Sequence, residues 1–512
     1  MCSIAGIVGN GGDIKKMIKI QNHRAPDDSA FYVDKLIKIA MGRLKIIDLK
    51  SDGLCLYQED GLVLSYNGEI YNYLELKKDL INLGVKFKTT SDTEVLLKSY
   101  LVWGLKALDK LNGMFAFAIY DKRKKILVMA RDIAGEKPLY YYQRGKTFAF
   151  ASEAKAFFDV LPISINDKNE FFESFEHCHI TTLWREVKEL PAAHYLIYDI
   201  QNNCIKSIKP YWQFKPRTIN LKTAHEELEG LIEDAVKIRI RSDVPYALYF
   251  SGGIDSSLIS TFHNFKYKFY FDSHHDWRKN FFSEINKIIW HLDFPVGSFS
   301  SYPLWKLAEM ASAKVKVVIS GEGADEIFGG YVRYLPVAQE YKLRNRFPSY
   351  NSYLFSKYFQ FPNFLEAFSA LTVRNNNKKS LEVVKNTIAP YFKMFDDPVN
   401  AMGFADFKHV FPSLLQMGDR MAGAFGIENR CPFLDKRIIE FGFSLPPEYK
   451  INNLEQKTIL RTILKKRNMN TPLEQEKKGL TIFFNKWLNQ KNIWDRSLYF
   501  DFIKKIWYKQ YG

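Results

Sequence analysis

The chain has 512 residues, 46% hydrophobic and 25% charged, with a formal net charge of +16. That length allows about two to four domains with full cores, and the composition excludes collagen-like, low-complexity and repeat architectures. No run reaches the ~18 uninterrupted apolar residues of a membrane helix, and no basic n-region with a long apolar core opens the chain, so a cytoplasmic protein without membrane attachment is expected.

The positive charge is spread along the chain, as in Lys122-Arg123-Lys124-Lys125 and Lys465-Lys466-Arg467. No basic-aromatic module accompanies it, so nucleic acid is not an expected partner; help in holding polyphosphate substrates is more natural. Five scattered cysteines, Cys2, Cys55, Cys178, Cys204 and Cys431, argue against a disulfide framework.

The first element is "MCSIAGIVGN", a strand-like run behind a cysteine. Cys2 is open to three readings: a core thiol, a lipid target or a nucleophile. N-myristoylation fails, because it needs glycine at that position. "GLVLSYNGEIYNY", "GMFAFAIYDKRKKILVMARD" and "TFAFASE" are β-rich runs bounded by turn residues. "NYLELKKDLINLG" and "DTEVLLKSYLVWG" are helical. Residues 1–205 therefore form an α+β domain, with two sheets and helices outside. Within it, His177-Cys178-His179 alternates like a ligand pair on one face, but further ligands are missing and packing is expected. Residues 206–222 are polar, carry two prolines and read as a linker.

From 223 to 512 the texture changes. "AHEELEGLIEDAVKIRI" is an amphipathic helix, while "YALYF" and "KVKVVIS" are buried strands. Strands alternating with helices indicate an α/β domain with a parallel sheet, followed by a helical, aromatic-rich part. "YALYFSGGIDSSLIS" runs from strand through glycines into a helix. Such a turn offers backbone amides and a helix N-terminus to an anion. Ser251, Gly252, Gly253, Asp255, Ser256 and Ser257 form this loop, which lacks a Walker lysine. "VISGEGADEIFGGY" supplies a second strand-end loop with Ser320, Gly321, Glu322 and Asp325. Asp255 and Asp325 could share Mg²⁺ with a triphosphate. A tight structural turn and a solvated helix cap are the plainer alternatives.

In the first half, the N-terminal Cys, "HRAPDD", "GRLKIIDL", "YNGEIYNY", "SDTEVL", "RDIAGEKPLYY" and "ASEAKA" resemble the glutamine-hydrolysing asparagine synthetases. In the second half, "SGGIDSS", "ISGEGADEIFGGY", "FGIENRCPFLD" and "EQKTILR" do so too. The resemblance implies an N-terminal-nucleophile glutaminase of αββα sandwich type, then an ATP-pyrophosphatase-type α/β domain with extra helices. Loss of Met1 would expose Cys2, whose α-amino group (pKa about 7.7–8.0) can act as base for its own thiol. By resemblance, Asn67 and Gly68 stabilise the oxyanion, Arg43 holds the glutamine carboxylate, and Asp92 with Glu69 holds its ammonium. In the second half the SGGIDSS loop, Ser320 and Gly321 hold ATP and pyrophosphate. Asp255 and Asp325 hold Mg²⁺, Lys457 stabilises charge at the α-phosphate, and Glu322 takes a proton from ammonia. The implied substrates are glutamine, ATP and aspartate; the implied path for ammonia is internal, and a homodimer is compatible.

Four departures stand out. Ala25 replaces the usual glycine of His-Arg-Gly-Pro-Asp, and Gly42 stands where a histidine is common. Gly479-Leu480 replaces the usual Gly-Phe. The stretch from Ser257 to Ser320 is shorter than the family usually has, in the region that frames adenine and acceptor. Two alternatives to asparagine synthesis therefore remain: amidation of another carboxylate, and a glutaminase or nucleotide-binding regulator with an inactive second domain.

Overall fold

The computed structural model describes residues 1–9, 11–166, 182–272, 275–295, 298–346, 361, 363–373, 378–467 and 496–511. His177-Cys178-His179 and Gly479-Leu480 lie outside the described residues.

Among the described residues, twelve strands of the first half form two six-stranded sheets. They are β1 (Ser3–Val8), β2 (Asp28–Val33), β3 (Ile37–Arg43), β4 (Tyr57–Glu59), β5 (Leu62–Ile70) and β6 (Gly113–Asp121). Then come β7 (Ile126–Arg131), β8 (Tyr140–Arg144), β9 (Thr147–Ala151), β10 (Val187–Glu189), β11 (His194–Asp199) and β12 (Cys204–Pro210). One sheet has the order β10-β8-β9-β1-β3-β2 and the other β12-β11-β7-β6-β5-β4. All pairings are antiparallel.

Residues alternate between faces along each strand, and the burial follows. Ile4 and Val8 of β1 enter the core between the sheets with Val63, Ala116 and Met129, while Ala5 and Ile7 point the other way, among Ile14 and Met17 of the helix Ile14–Ile20. The second sheet is covered by the helices Tyr73–Asn82 and Asp92–Trp103 through Leu76, Leu80, Val95 and Leu96. The layering is the expected αββα sandwich.

The second half contains a four-stranded parallel sheet, in the order β14 (Tyr267–Phe269), β13 (Tyr246–Tyr249), β15 (Val317–Ile319), β16 (Glu428–Arg430). Helices surround it. The chain leaves β13 to β14 on one side and to β15 on the other. The crevice at the C-terminal ends of β13 and β15 is thus a topological switch point, the place where such sheets take ligands. Among the described residues β14 is an edge strand of this sheet.

The expected linker 206–222 is corrected at its start. Residues 206–210 belong to β12, paired with β11. The remainder is anchored rather than loose. Trp212 and Phe214 are buried, the Trp212 Nε1–H donates to Glu440 Oε1 at 2.9 Å, and Phe214 packs on Phe395, Phe404 and Phe443. No helix among the described residues is long and apolar enough to cross a membrane.

Candidate active sites

β1 brings Cys2 to the edge of a small, open cavity. Arg43 at the end of β3, Gly68 and Glu69 on β5, and Asp92 at the start of its helix line the same cavity. The Cys2 backbone N–H donates to Asn67 Oδ1 at 2.9 Å. Asn67 is fully buried, and its Nδ2 has no hydrogen-bond partner. A buried donor without an acceptor is costly; this one belongs to the side chain that holds the Cys2 backbone N–H, and an oxyanion formed at Cys2 could accept it. Gly68 has φ +149°, and a Cβ there would lie 2.1 Å from the Met114 carbonyl oxygen, so the close β5–β6 pairing requires glycine. Asp92 follows the N-cap Ser91. Its Oδ2 accepts from the Tyr66 hydroxyl at 2.8 Å and the Ile70 N–H at 3.0 Å. Arg43 is pinned by Nη2, which donates to the carbonyls of Ile47 and Asp48 at 2.8 and 2.9 Å.

Burial raises the pKa of the Cys2 thiol, opposed by the nearby chain-terminal ammonium. Burial likewise lowers the pKa of that ammonium, here on Met1. Burial also raises Glu69 well above the usual carboxyl range, opposed by the Arg430 guanidinium. Met1 is wholly buried between the two halves, its ammonium 3.3 Å from Glu428 Oε2.

The second site lies at the switch point. β13 runs through Ser251, Gly252 and Gly253 into the helix Ile254–Phe262. The Ser251 N–H donates to Ser256 Oγ at 3.2 Å, and Gly252 has φ +74°. β15 runs into Ser320, Gly321 and Glu322, then the helix Ala324–Phe328 with Asp325 in its first turn. The loops touch: a Cβ on Gly321 would meet the Asp255 Cβ at 2.7 Å. Lys457 comes from elsewhere in the sequence. Its Nζ lies 2.6 Å from Asp255 Oδ2 and 2.7 Å from Asp325 Oδ1. The ammonium thus bridges the two carboxylates expected to hold Mg²⁺. It is raised in pKa by these two carboxylates, against the opposing effect of burial, the largest single influence. Glu322 is pushed up to about 7 by burial, opposed by hydrogen bonds from Cys431 and Asn429. Ser257 is fully buried within the helix.

The structure therefore brings Cys2, Arg43, Asn67, Gly68, Glu69 and Asp92 together. Asp255, Asp325 and Lys457 meet at the switch point, beside Glu322 and the two loops. Sequence reasoning missed Tyr66, which orients Asp92, and the strand β16 between the sites. Arg430 Nη2 is 3.1 Å from Glu69 Oε1, and Glu428 holds the chain terminus. The alternation of charged and uncharged residues in "ENRC" was the available signal.

The sequence profile described as a glutamine amidotransferase domain matches residues 1–212. The profile described as asparagine synthase matches 227–268 and 272–498. Its break falls inside the short stretch after β13. Glutamine-hydrolysing asparagine synthetase 1 of Bacillus subtilis is 30% identical over 578 aligned positions, covering 97% of this chain and 90% of that one. Glutamine-hydrolysing asparagine synthetase 3 of the same organism is 28% identical, covering 91% and 84%. A Methanocaldococcus jannaschii relative is 34% identical over 400 positions, covering 65% of this chain and 76% of that one.

Proposed function

The chain belongs to the asparagine synthase family, and on that premise we propose that it makes asparagine from aspartate, ATP and the amide nitrogen of glutamine, in the cytoplasm. The observation that carries this reading is the strand β16. It touches the thiol site through Glu69 and the chain terminus, and it touches Glu322 at the synthetase site.

With Met1 gone, the Cys2 nitrogen becomes the α-amine that takes the thiol proton. The thiolate attacks the glutamine side-chain carbonyl. Asn67 Nδ2 and the Gly68 N–H receive the oxyanion. Arg43 faces the substrate carboxylate, and Asp92 with Glu69 its ammonium. Ammonia leaves, and water then releases glutamate. The space filled by Met1, between Cys2 and Glu428, is where ammonia would start inward.

In the synthetase half, Ser251 to Ser257 with Ser320 and Gly321 cradle the phosphates. Asp255 and Asp325 fit a hard cation, since both carboxylates already lie within 2.7 Å of one ammonium. Bound Mg²⁺ would neutralise the departing pyrophosphate. Lys457 would then turn to the α-phosphate, and Glu322 would accept the proton from ammonia as the amide forms. The glutaminase domain ends at β12, a few residues beyond 205, and the synthetase domain starts near 223.

The test is stoichiometry. Glutamine, ATP and aspartate should give asparagine, glutamate, AMP and pyrophosphate in equal amounts. AMP formation that ignores aspartate but responds to another carboxylic acid would overturn the acceptor. That second reading is favoured by one feature, the short stretch from Ser257 to Ser320, which carries β14 beside the nucleotide crevice. Glutamine hydrolysis without AMP under any acceptor would leave a regulator.

A further inference from the structure

β16 looks two ways. Neighbouring residues of an extended segment face opposite sides. Glu428 and Arg430 face the glutaminase half, on the chain terminus and Glu69. Asn429 and, two residues on, Cys431 face the synthetase site. Asn429 Nδ2 donates to Glu322 Oε2 at 3.1 Å, and the Cys431 thiol lies 3.5 Å from the same oxygen, placed to donate to it. Ser320 Oγ stands 3.4 Å from the Cys431 sulfur. Gly418 of the helix Phe411–Gly423 leaves room for the carboxylate: a Cβ there would meet Glu322 Oε1 at 2.9 Å and Oε2 at 3.1 Å.

We infer that Asn429 and Cys431 are positioning residues for Glu322, fixing its Oε2 from one strand face so that Oε1 is the oxygen open to a proton. This rests on the reading of Glu322 as the proton acceptor in amide formation. In that step the ammonia nitrogen bonds to the acyl carbon and the bond from that carbon to the AMP oxygen breaks. One ammonia proton passes to Glu322, and the amide keeps the other two.

The two donors also set the charge. Burial raises the Glu322 pKa, and both hydrogen bonds favour the carboxylate and hold the rise to about 7. The other groups acting on it are Asp419, which raises it, and Lys137, which lowers it. Glu136 and the Tyr249 phenol also feel its charge. Removing a donor therefore moves the titration upward and leaves less carboxylate at neutral pH.

The test is acid–base difference infrared spectroscopy on the full chain, with the carboxyl band assigned by its loss in Glu322→Gln. Asn429→Leu and Cys431→Val should each raise the midpoint by about half a unit or more, while Cys431→Ser, which keeps a donor, stays near the parent. In Asn429→Leu and Cys431→Val, aspartate-dependent exchange of pyrophosphate into ATP should hold within about twofold while amide formation falls about tenfold; Cys431→Ser should keep both near the parent. The acidic limb of the amidation profile should move with the infrared midpoint. Unmoved midpoints in both Asn429→Leu and Cys431→Val overturn the inference, as does equal loss of exchange and amidation. If the parent enzyme shows no aspartate-dependent exchange, the acceptor reading fails, and the infrared midpoints still decide the role of Asn429 and Cys431.

Discussion

Lys457 occupies a left-handed backbone position, φ +54°, at the N-cap of the helix Thr458–Lys466. A non-glycine residue there costs on the order of 1–3 kcal/mol, and the site offsets it by aiming the ammonium between Asp255 and Asp325. Gly330 makes the arrangement fit, because a Cβ there would meet Asp325 Oδ1 at 1.9 Å and Lys457 Cε at 2.3 Å. Lys457→Met should cut adenylation by about 10² or more, read as aspartate-dependent pyrophosphate exchange. Glutamate release from glutamine should persist. At the other centre, Cys2→Ala should abolish glutamine-dependent amidation and keep ammonia-dependent amidation within about twofold. Equal loss of both would contradict two separate centres. The glycine loops and the family motifs were legible in the sequence, because local residue types carry them. The Lys457 bridge was not, because nothing local places a lysine against aspartates distant in the chain.

At the scale of elements, β5 does most to shape the thiol site. It carries Tyr66, Asn67, Gly68 and Glu69 in one antiparallel run against β6. Gly68→Ala should press a methyl group into the Met114 carbonyl and shift the strand. The cost should be about 1–3 kcal/mol in thermal unfolding, with glutaminase activity down about 10²-fold as the donor beside Asn67 moves. Ammonia-dependent amidation should survive, and glutaminase activity that survives Gly68→Ala would remove Gly68 from the oxyanion site. Buried strands such as β1, β5, β6 and β9 were legible from their apolar runs. β12 was not. It is an edge strand whose residues are mostly exposed, "CIKSIKP", and a solvated edge carries polar residues that look like linker.

At the scale of the molecule, the two halves are joined by charge taken out of water. Arg24 donates to both carboxylate oxygens of Asp419 at 2.7 and 3.1 Å, across the interface. Glu153 lies within ion-pair distance of Arg24, Lys155 and Arg420, and Asp293 receives Lys155 and Arg420. None of these contacts was legible in the sequence, since each joins residues that only the packed domains bring together. A buried network of this kind confers little net stability when complete, but removing one partner strands the other. Asp419→Asn should therefore destabilise the protein by about 3–5 kcal/mol near neutral pH. The sign of its pH dependence follows from its charge. Arg24 and Lys137 hold the Asp419 carboxyl below its ordinary value of 3.8, against the opposing effect of burial. A depressed carboxyl stabilises the fold above its unfolded pKa and loses that contribution as pH falls through the folded one. The melting-temperature gap between parent and Asp419→Asn should be full at pH 5 and above, and should close progressively below about pH 3.8. A gap that stays constant down to the acid limit would show that Arg24 and Asp419 do not hold the domains together as an ion pair. If they do, and ammonia passes between the centres through this interface, the same variant should also release more glutamate per asparagine formed.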